Sequence, residues 1–370
     1  MTRPEIKAHT GLRGLAALNV MCGHIGLDHW FPYLRGTQNY LLFGNQAVDL
    51  FFVLSGFILA YSYHPKDECE QADFSWGNFF VARLARIYPL HLATLIIMGL
   101  MAWQAGRHGL ISAEYRSQDF VIQLLLLSSL PVIGVARPWN YPSWSISTEW
   151  ICYLCCFPVS FYARRKLTAK IALIGVLALT AIAVSWLVQV PAGENLGMGV
   201  TALLRGICGF FAGSLLHHLS IHAPHLRALA ARSLPWLFLA VMLLSIASRA
   251  GLVSAWLMLI LWPPLVLGTT ERGSFVTAAL SHPAALFLGE LSYSLYMLHA
   301  VFGRMANATL FHGSPWSPAV STIAGVLFII AIFAASMLSY RFLERPARDW
   351  IRSKFGRRMR KDTPDSGLTH

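Results

Sequence analysis

Residues 48–57 read Val48-Asp49-Leu50-Phe51-Phe52-Val53-Leu54-Ser55-Gly56-Phe57, inside an apolar run, 42–63, whose one charged residue is Asp49. As a helix that run is about 30 Å long, the thickness of a bilayer's hydrocarbon core. Working outward, comparable runs recur at 11–28, 87–105, 121–135, 147–163, 170–190, 199–217, 234–250, 252–269, 283–306 and 318–342. Hydrophobic residues make up 56% of the chain and charged residues 12%, with a mean hydropathy of +0.54. A soluble chain carries about a quarter charged residues, so too few charges remain here to solvate an ordinary surface. The expected fold class is all-α, a polytopic membrane protein.

The loops decide which runs cross. The formal charge is +12, from Lys+Arg 29 against Asp+Glu 17, and the basic residues sit in short loops and in the tail. That distribution follows the positive-inside rule and does not build a nucleic-acid groove, so no nucleic-acid partner is expected. The tail after Tyr340 carries Arg341, Arg345, Arg348, Arg352, Lys354, Arg357, Arg358, Arg360 and Lys361. The 164–170 loop carries Arg164, Arg165, Lys166 and Lys170. Both should be cytoplasmic, together with Arg83, Arg86 and the N-terminal Arg3, Lys7 and Arg13. Eleven crossings would put the two termini on opposite sides and turn the 164–170 loop outward. Demoting 121–135, which is short and interrupted by Pro131, to a re-entrant or interfacial segment removes both conflicts. About ten spanning helices follow, with both termini cytoplasmic. No internal repeat and no second soluble domain is visible: 1–345 reads as one membrane domain and 346–370 as a basic cytoplasmic tail. The first apolar run lacks a small-residue cleavage site, so no cleavable leader is expected. Cys152-x-x-Cys155-Cys156 lies in an apolar helix without a nearby histidine, so no metal site is expected.

Ionisable residues inside apolar spans cost roughly 2.5–3.5 kcal/mol each on insertion scales, which makes them the functional candidates. Arg13 and His24 are eleven residues apart, about 20° beyond three full turns, so they share one helix face about 16 Å apart. His24 is either a base or a core histidine bonded to a carbonyl. Asp49 either pairs with His24 and sets its tautomer or joins two helices. Glu149 lies among Trp139, Tyr141, Trp144 and Trp150, which form either an interfacial belt or a sugar-stacking platform. Tyr296 and His299 are three apart and share a face, suiting either catalysis or helix pairing. Arg83 and Arg86 suit phosphate groups, or simply mark the inner side. His24, Asp49, Glu149 and His299 are expected near the outer face, and Arg13, Arg83 and Arg86 near the inner face.

At these residues the chain resembles the acyltransferase-3 family of membrane O-acyltransferases. The blocks are Leu12-Arg13-Gly14-Leu15-Ala16-Ala17 through His24, Asp49 through Phe57, Arg83-x-x-Arg86-Ile87-Tyr88-Pro89, Trp144 through Trp150, Gly289 through His299, and Glu344-Arg345-Pro346. The resemblance implies transfer of an acyl group, usually acetyl from acetyl-CoA, to a hydroxyl of a carbohydrate or glycolipid acceptor at a bacterial inner membrane. It places His24, Asp49, Glu149 and His299 at the catalytic end, and Arg13, Arg83 and Arg86 on the acyl-CoA donor. Some members carry an extracytoplasmic hydrolase-like domain. None is visible here, so the membrane domain is expected to deliver the acyl group alone. A transporter or flippase using the same charges as a relay is the competing class, and its hallmark of inverted repeats is not visible.

The loop reading is testable. Cysteines placed at Lys166 and at Lys354 should both resist a membrane-impermeant maleimide in intact cells. Labelling of only one of them would break the ten-helix arrangement and make 121–135 a true crossing.

Overall fold

A computed structural model describes residues 4–34, 46–64, 74–108, 116–130, Ile133, 138–163, most positions in 166–180, 200–253, 257–309 and 316–356. Arg3, Pro131, Arg164, Arg165, the second half of the 170–190 run and the basic residues beyond Gly356 lie outside them. The described residues are helical and contain no strand.

The principal helices are α1 (Lys7–His24), α2 (Gln46–Tyr63), α3 (Trp76–Arg107), α4 (Ser143–Ile151), α5 (Val200–His222), α6 (Pro224–Arg249), α7 (Met258–Gly268), α8 (Pro283–Thr309), α9 (Pro318–Ser339) and α10 (Arg345–Ile351). Among the described residues, six helices are long and apolar enough to cross a membrane. They are Gln46–Tyr63, Trp76–Arg107, Thr201–His222, Pro224–Ser248, Pro283–Ala306 and Pro318–Phe355. In the 121–135 run, the helix Ser117–Leu124 has eight residues, about 12 Å of rise, and Leu126 follows with φ of 58°. Its described part is therefore not a spanning helix.

Two close helix pairs organise the site. α1 lies along α8, and α2 lies along α5. Apolar lipid offers little drive for helix association, so backbones approach through small residues. A Cβ on Gly289 of α8 would fall 2.1 Å from the Thr10 carbonyl oxygen of α1. One on Gly213 of α5 would fall 2.0 Å from the Val53 carbonyl oxygen of α2. Glycine is required at both places because nothing larger fits. The main core gathers residues of α1, α2, α7 and α8, including Leu12, Leu54, Trp262 and Met297. A separate aromatic cluster holds the N-terminal part of α3 and the segment after α4, where Phe79 and Phe157 stack at 4.4 Å.

α3 begins at an N-cap, where Ser75 accepts from the Asn78 amide at 3.3 Å. It continues through Pro89. α4 passes into a π-turn, Cys152–Cys156, and the last span passes into another, Tyr340–Glu344. π-turns insert one residue into a helix and rotate everything after it.

Gly289→Ala should lower the thermal midpoint of the detergent-purified protein, by roughly 1–3 kcal/mol of stability, because α1 must move off α8. An unchanged midpoint would mean that this seam is not closed.

Candidate functional site

The faces expected from helical periodicity are the faces observed. Arg13 and His24 both meet α8. Arg13 donates from Nε to Ser292 Oγ at 3.1 Å and from Nη2 to the Gly289 carbonyl at 3.0 Å. Three turns further along, the His24 ring centroid lies 5.5 Å from that of His299 and 5.1 Å from that of Tyr141.

The tautomers follow from the backbone. His24 Nδ1 lies 2.7 Å from the Val20 carbonyl, and a carbonyl only accepts, so Nδ1 carries the proton and Nε2 the lone pair. His299 Nδ1 lies 3.2 Å from the Leu295 carbonyl and is assigned in the same way. The Nε2 atom of His299 accepts from the Tyr141 hydroxyl at 2.6 Å. Burial, with Tyr296 adding to it, pushes the Tyr141 phenol well above its ordinary range, so that hydroxyl stays a donor. His299 is buried, whereas His24 is partly exposed. Of the two imidazoles, His24 is the more accessible, and Tyr141–His299 forms a wall beside it.

That wall is pinned to the turn before α4. Asn140 Nδ2 donates to the Met297 carbonyl at 3.1 Å. Ser145 Oγ donates to the Pro142 carbonyl at 3.0 Å and lies 2.7 Å from the Tyr296 hydroxyl. Tyr296 and His299, three apart on α8, thus both face the 140–145 segment.

A cavity of about 100 Å³ adjoins this cluster, and Ser145 and Tyr296 line it. Arg13, Arg83 and Arg86 line the same cavity. The Arg83 guanidinium sits 5.9 Å from the ring centres of Tyr63, Phe79 and Tyr153, and its Nη2 reaches the Tyr63 hydroxyl at 3.4 Å. Arg13, Arg83 and Arg86, expected together, line one cavity.

Two carboxylates sit elsewhere than expected. Asp49 does not orient His24. It forms a buried two-point ion pair with Arg205 of α5, Nε to Oδ1 at 3.0 Å and Nη2 to Oδ2 at 2.6 Å, and each side chain is 2% exposed. The tautomer of His24 is set by the Val20 carbonyl instead. Glu149 is not grouped with the histidines. It accepts from Ser55 Oγ at 3.0 Å and from the Tyr153 hydroxyl, and it lines the cavity with the three arginines. Their positive charge is the physical reason a carboxylate is tolerated there. The aromatic platform does not form around Glu149 either. Trp139 packs on Phe120, Trp144 on Phe52 and Tyr141 on His24.

Arg205 was not among the sequence candidates. The available signal was a lone arginine inside the apolar run 199–217, which demands a buried partner. Asn140 has only its proximity to Tyr141 to suggest it.

Asp49→Ala should leave Arg205 buried and unpaired, costing about 3–5 kcal/mol. Thermal unfolding of the purified protein measures this. Asp49→Ala combined with Arg205→Met should recover much of the loss, and no recovery would show that the two act independently.

A family model described as an acyltransferase domain matches residues 6–341. Acyltransferase MdmB of Streptomyces mycarofaciens is 36% identical over 164 residues, covering 44% of this chain and 40% of that protein. Protein 2 in picA locus of Rhizobium radiobacter is 39% identical over 92 residues, covering 24% of this chain and 41% of that protein. The match thus spans less than half the length of these two relatives. Nodulation protein 10 of Rhizobium leguminosarum bv. viciae is 25% identical over 389 aligned positions, covering 94% of this chain and 95% of that protein. No solved structure matches the chain.

Proposed function

The chain belongs to this acyltransferase family, and from that membership we propose that it is a membrane O-acyltransferase moving an acyl group, acetyl above all, from a cytoplasmic acyl-CoA to a hydroxyl of a carbohydrate or glycolipid. The observation that carries the reading is the orientation of His24. The Val20 carbonyl holds its proton on Nδ1, which puts the basic lone pair on Nε2 beside the His299–Tyr141 wall. A hydroxyl is too weak a nucleophile at neutral pH without such a base.

In the proposed step the acceptor O–H gives its proton to His24 Nε2 as its oxygen attacks the thioester carbonyl. The C–S bond breaks, the sulfur leaves with the bonding pair, and the imidazolium returns the proton to it. The products are an ester and free CoA. His299 and Tyr141 hold the imidazole by packing. Arg13, Arg83 and Arg86, which line the cavity, bind donor phosphates, and the slender thiol arm reaches from them past Ser145 and Tyr296 of the same lining. Glu149, fixed by Ser55 and Tyr153, keeps the arginine lining from being uniformly positive. Ten spans, cytoplasmic termini and a bacterial inner membrane complete the proposal. This arrangement lets the donor enter from one side and the acceptor from the other.

His24→Gln keeps the hydrogen-bonding shape of the side chain but cannot act as a base, so acylation in membranes at matched expression should fall by about 10²–10⁴. Near-normal activity would move the base elsewhere. Arg83→Ala and Arg86→Ala should each weaken CoA binding by about 1.5–3 kcal/mol in a detergent titration. Unchanged affinity in both would leave them as topology signals only.

A further inference from the structure

The last span does not stop at the basic residues that follow it. α9 runs through the π-turn Tyr340–Glu344 into α10 and then into a second π-turn, Arg352–Gly356. The first π-turn seats Glu344 on the hydroxyls of Ser294 and Ser339, the latter at 3.1 Å. It also lays α10 and the following turn against α3, the helix that carries Arg83 and Arg86.

Arg348 and Arg352 are four apart and so lie on one face of the tail helix. Arg352 is within electrostatic reach of Arg83, Arg86 and Arg348, and Arg86 and Arg348 both reach Glu344. Arg348 and Arg352 thus lie on elements packed against the helix of Arg83 and Arg86. The carboxylates beside them are Glu344, already held by two serines, Glu149, which shares the cavity with Arg83 and Arg86, and Asp349, whose side chain is 63% exposed and lies 3.8 Å from Arg348 Nε. With Arg13, which lines the same cavity, five arginines face three carboxylates, an excess of two positive charges. The Nε groups of Arg83 and Arg348 are buried and have no hydrogen-bond acceptor. Buried charged donors without an acceptor are costly, and like charges brought together add to that cost. Arg83 and Arg86 also line the cavity. The feature that offsets both costs is a compact anion carrying several oxygens, held by bidentate guanidinium contacts.

We propose that the C-terminal helix completes the donor site, with Arg348 and Arg352 joining Arg83 and Arg86 around a phosphate group of the CoA nucleotide. The inference rests on the acyl-CoA reading above. It makes the tail a working part of the enzyme, not only a marker of the cytoplasmic side. The same chemistry would suit the phosphate of an anionic lipid headgroup, and the experiment separates the two.

The full-length wild type, Arg348→Gln, Arg352→Gln and Arg352→Lys are compared in nanodiscs of phosphatidylcholine, with and without added phosphatidylglycerol. The probes are CoA and pantetheine, which lacks the nucleotide phosphates. Each Gln variant should bind CoA roughly tenfold more weakly in phosphatidylcholine, and wild-type affinity should fall as salt rises. Arg352→Lys should lose less, because it keeps the charge but not the fork. Pantetheine binding should be the same in all four proteins. Equal CoA affinity in wild type and both Gln variants overturns the inference and leaves the donor reading standing. A loss that appears only with phosphatidylglycerol assigns these arginines to a lipid headgroup and also overturns it. A folded wild type that binds no CoA in either membrane overturns both readings. Arg352 is exposed, so it carries the test alone should Arg348→Gln fail to fold.

Discussion

The contact between α1 and α8 governs the site. Their backbones meet where Gly289 faces Thr10, with no room for a Cβ. That closeness puts Arg13 within reach of Ser292 and Gly289, and three turns away it brings His24 beside His299. A wider separation would leave Arg13 without its two acceptors inside an apolar span. It would also remove the wall that orients the His24 ring. The distance between the arginine and the histidine is thus a helix-geometry constant of about 16 Å, set by eleven residues of one regular helix.

The second close pair, α2 with α5, handles charge in a different way. Asp49 and Arg205 neutralise each other in a dry setting, and the pair ties the two helices in register. Glu149 and the cavity arginines instead stay apart enough to leave a lined space between them. A buried two-point ion pair is a structural solution, because each charge is already neutralised by the other. Arginines grouped with fewer carboxylates than they need suit the proposed donor site. Arginine and carboxylate side chains serve in both places, and the packing distance decides how.

Helical periodicity was enough to read the apolar runs, the shared face of Arg13 and His24, and the shared face of Tyr296 and His299. These depend on local spacing, whereas the grouping of Arg13 with Arg83 and Arg86 came from the charge pattern of the loops. The partner of Asp49 was not legible, because Arg205 lies 156 positions away and is reached only once α2 and α5 close. The partners of Glu149, Ser55 and the cavity arginines, were not legible either, because they come from other helices. The π-turns at Cys152–Cys156 and Tyr340–Glu344 have no pattern that the apolar runs reveal, yet the second one turns the tail back onto α3. Hydropathy marked that tail as basic. It could not show that the tail packs on α3 beside Arg83 and Arg86.

In the proposed chemistry His24 serves as the base, and the cations that line the cavity hold the donor. A histidine is suited to this, since it accepts a proton only when the reaction supplies one. The most direct test supplies acetyl-CoA labelled in its acetyl group to the cytoplasmic face of sealed inside-out vesicles containing the protein, and follows the label by mass spectrometry of the extracted glycans and glycolipids. Label appearing as an alkali-labile ester on a hydroxyl of that fraction, with free CoA left on the outside of the vesicles, is the expected result. Label that remains entirely on CoA, while an unmodified glycan or lipid-linked sugar crosses the membrane, would contradict it and identify a transporter.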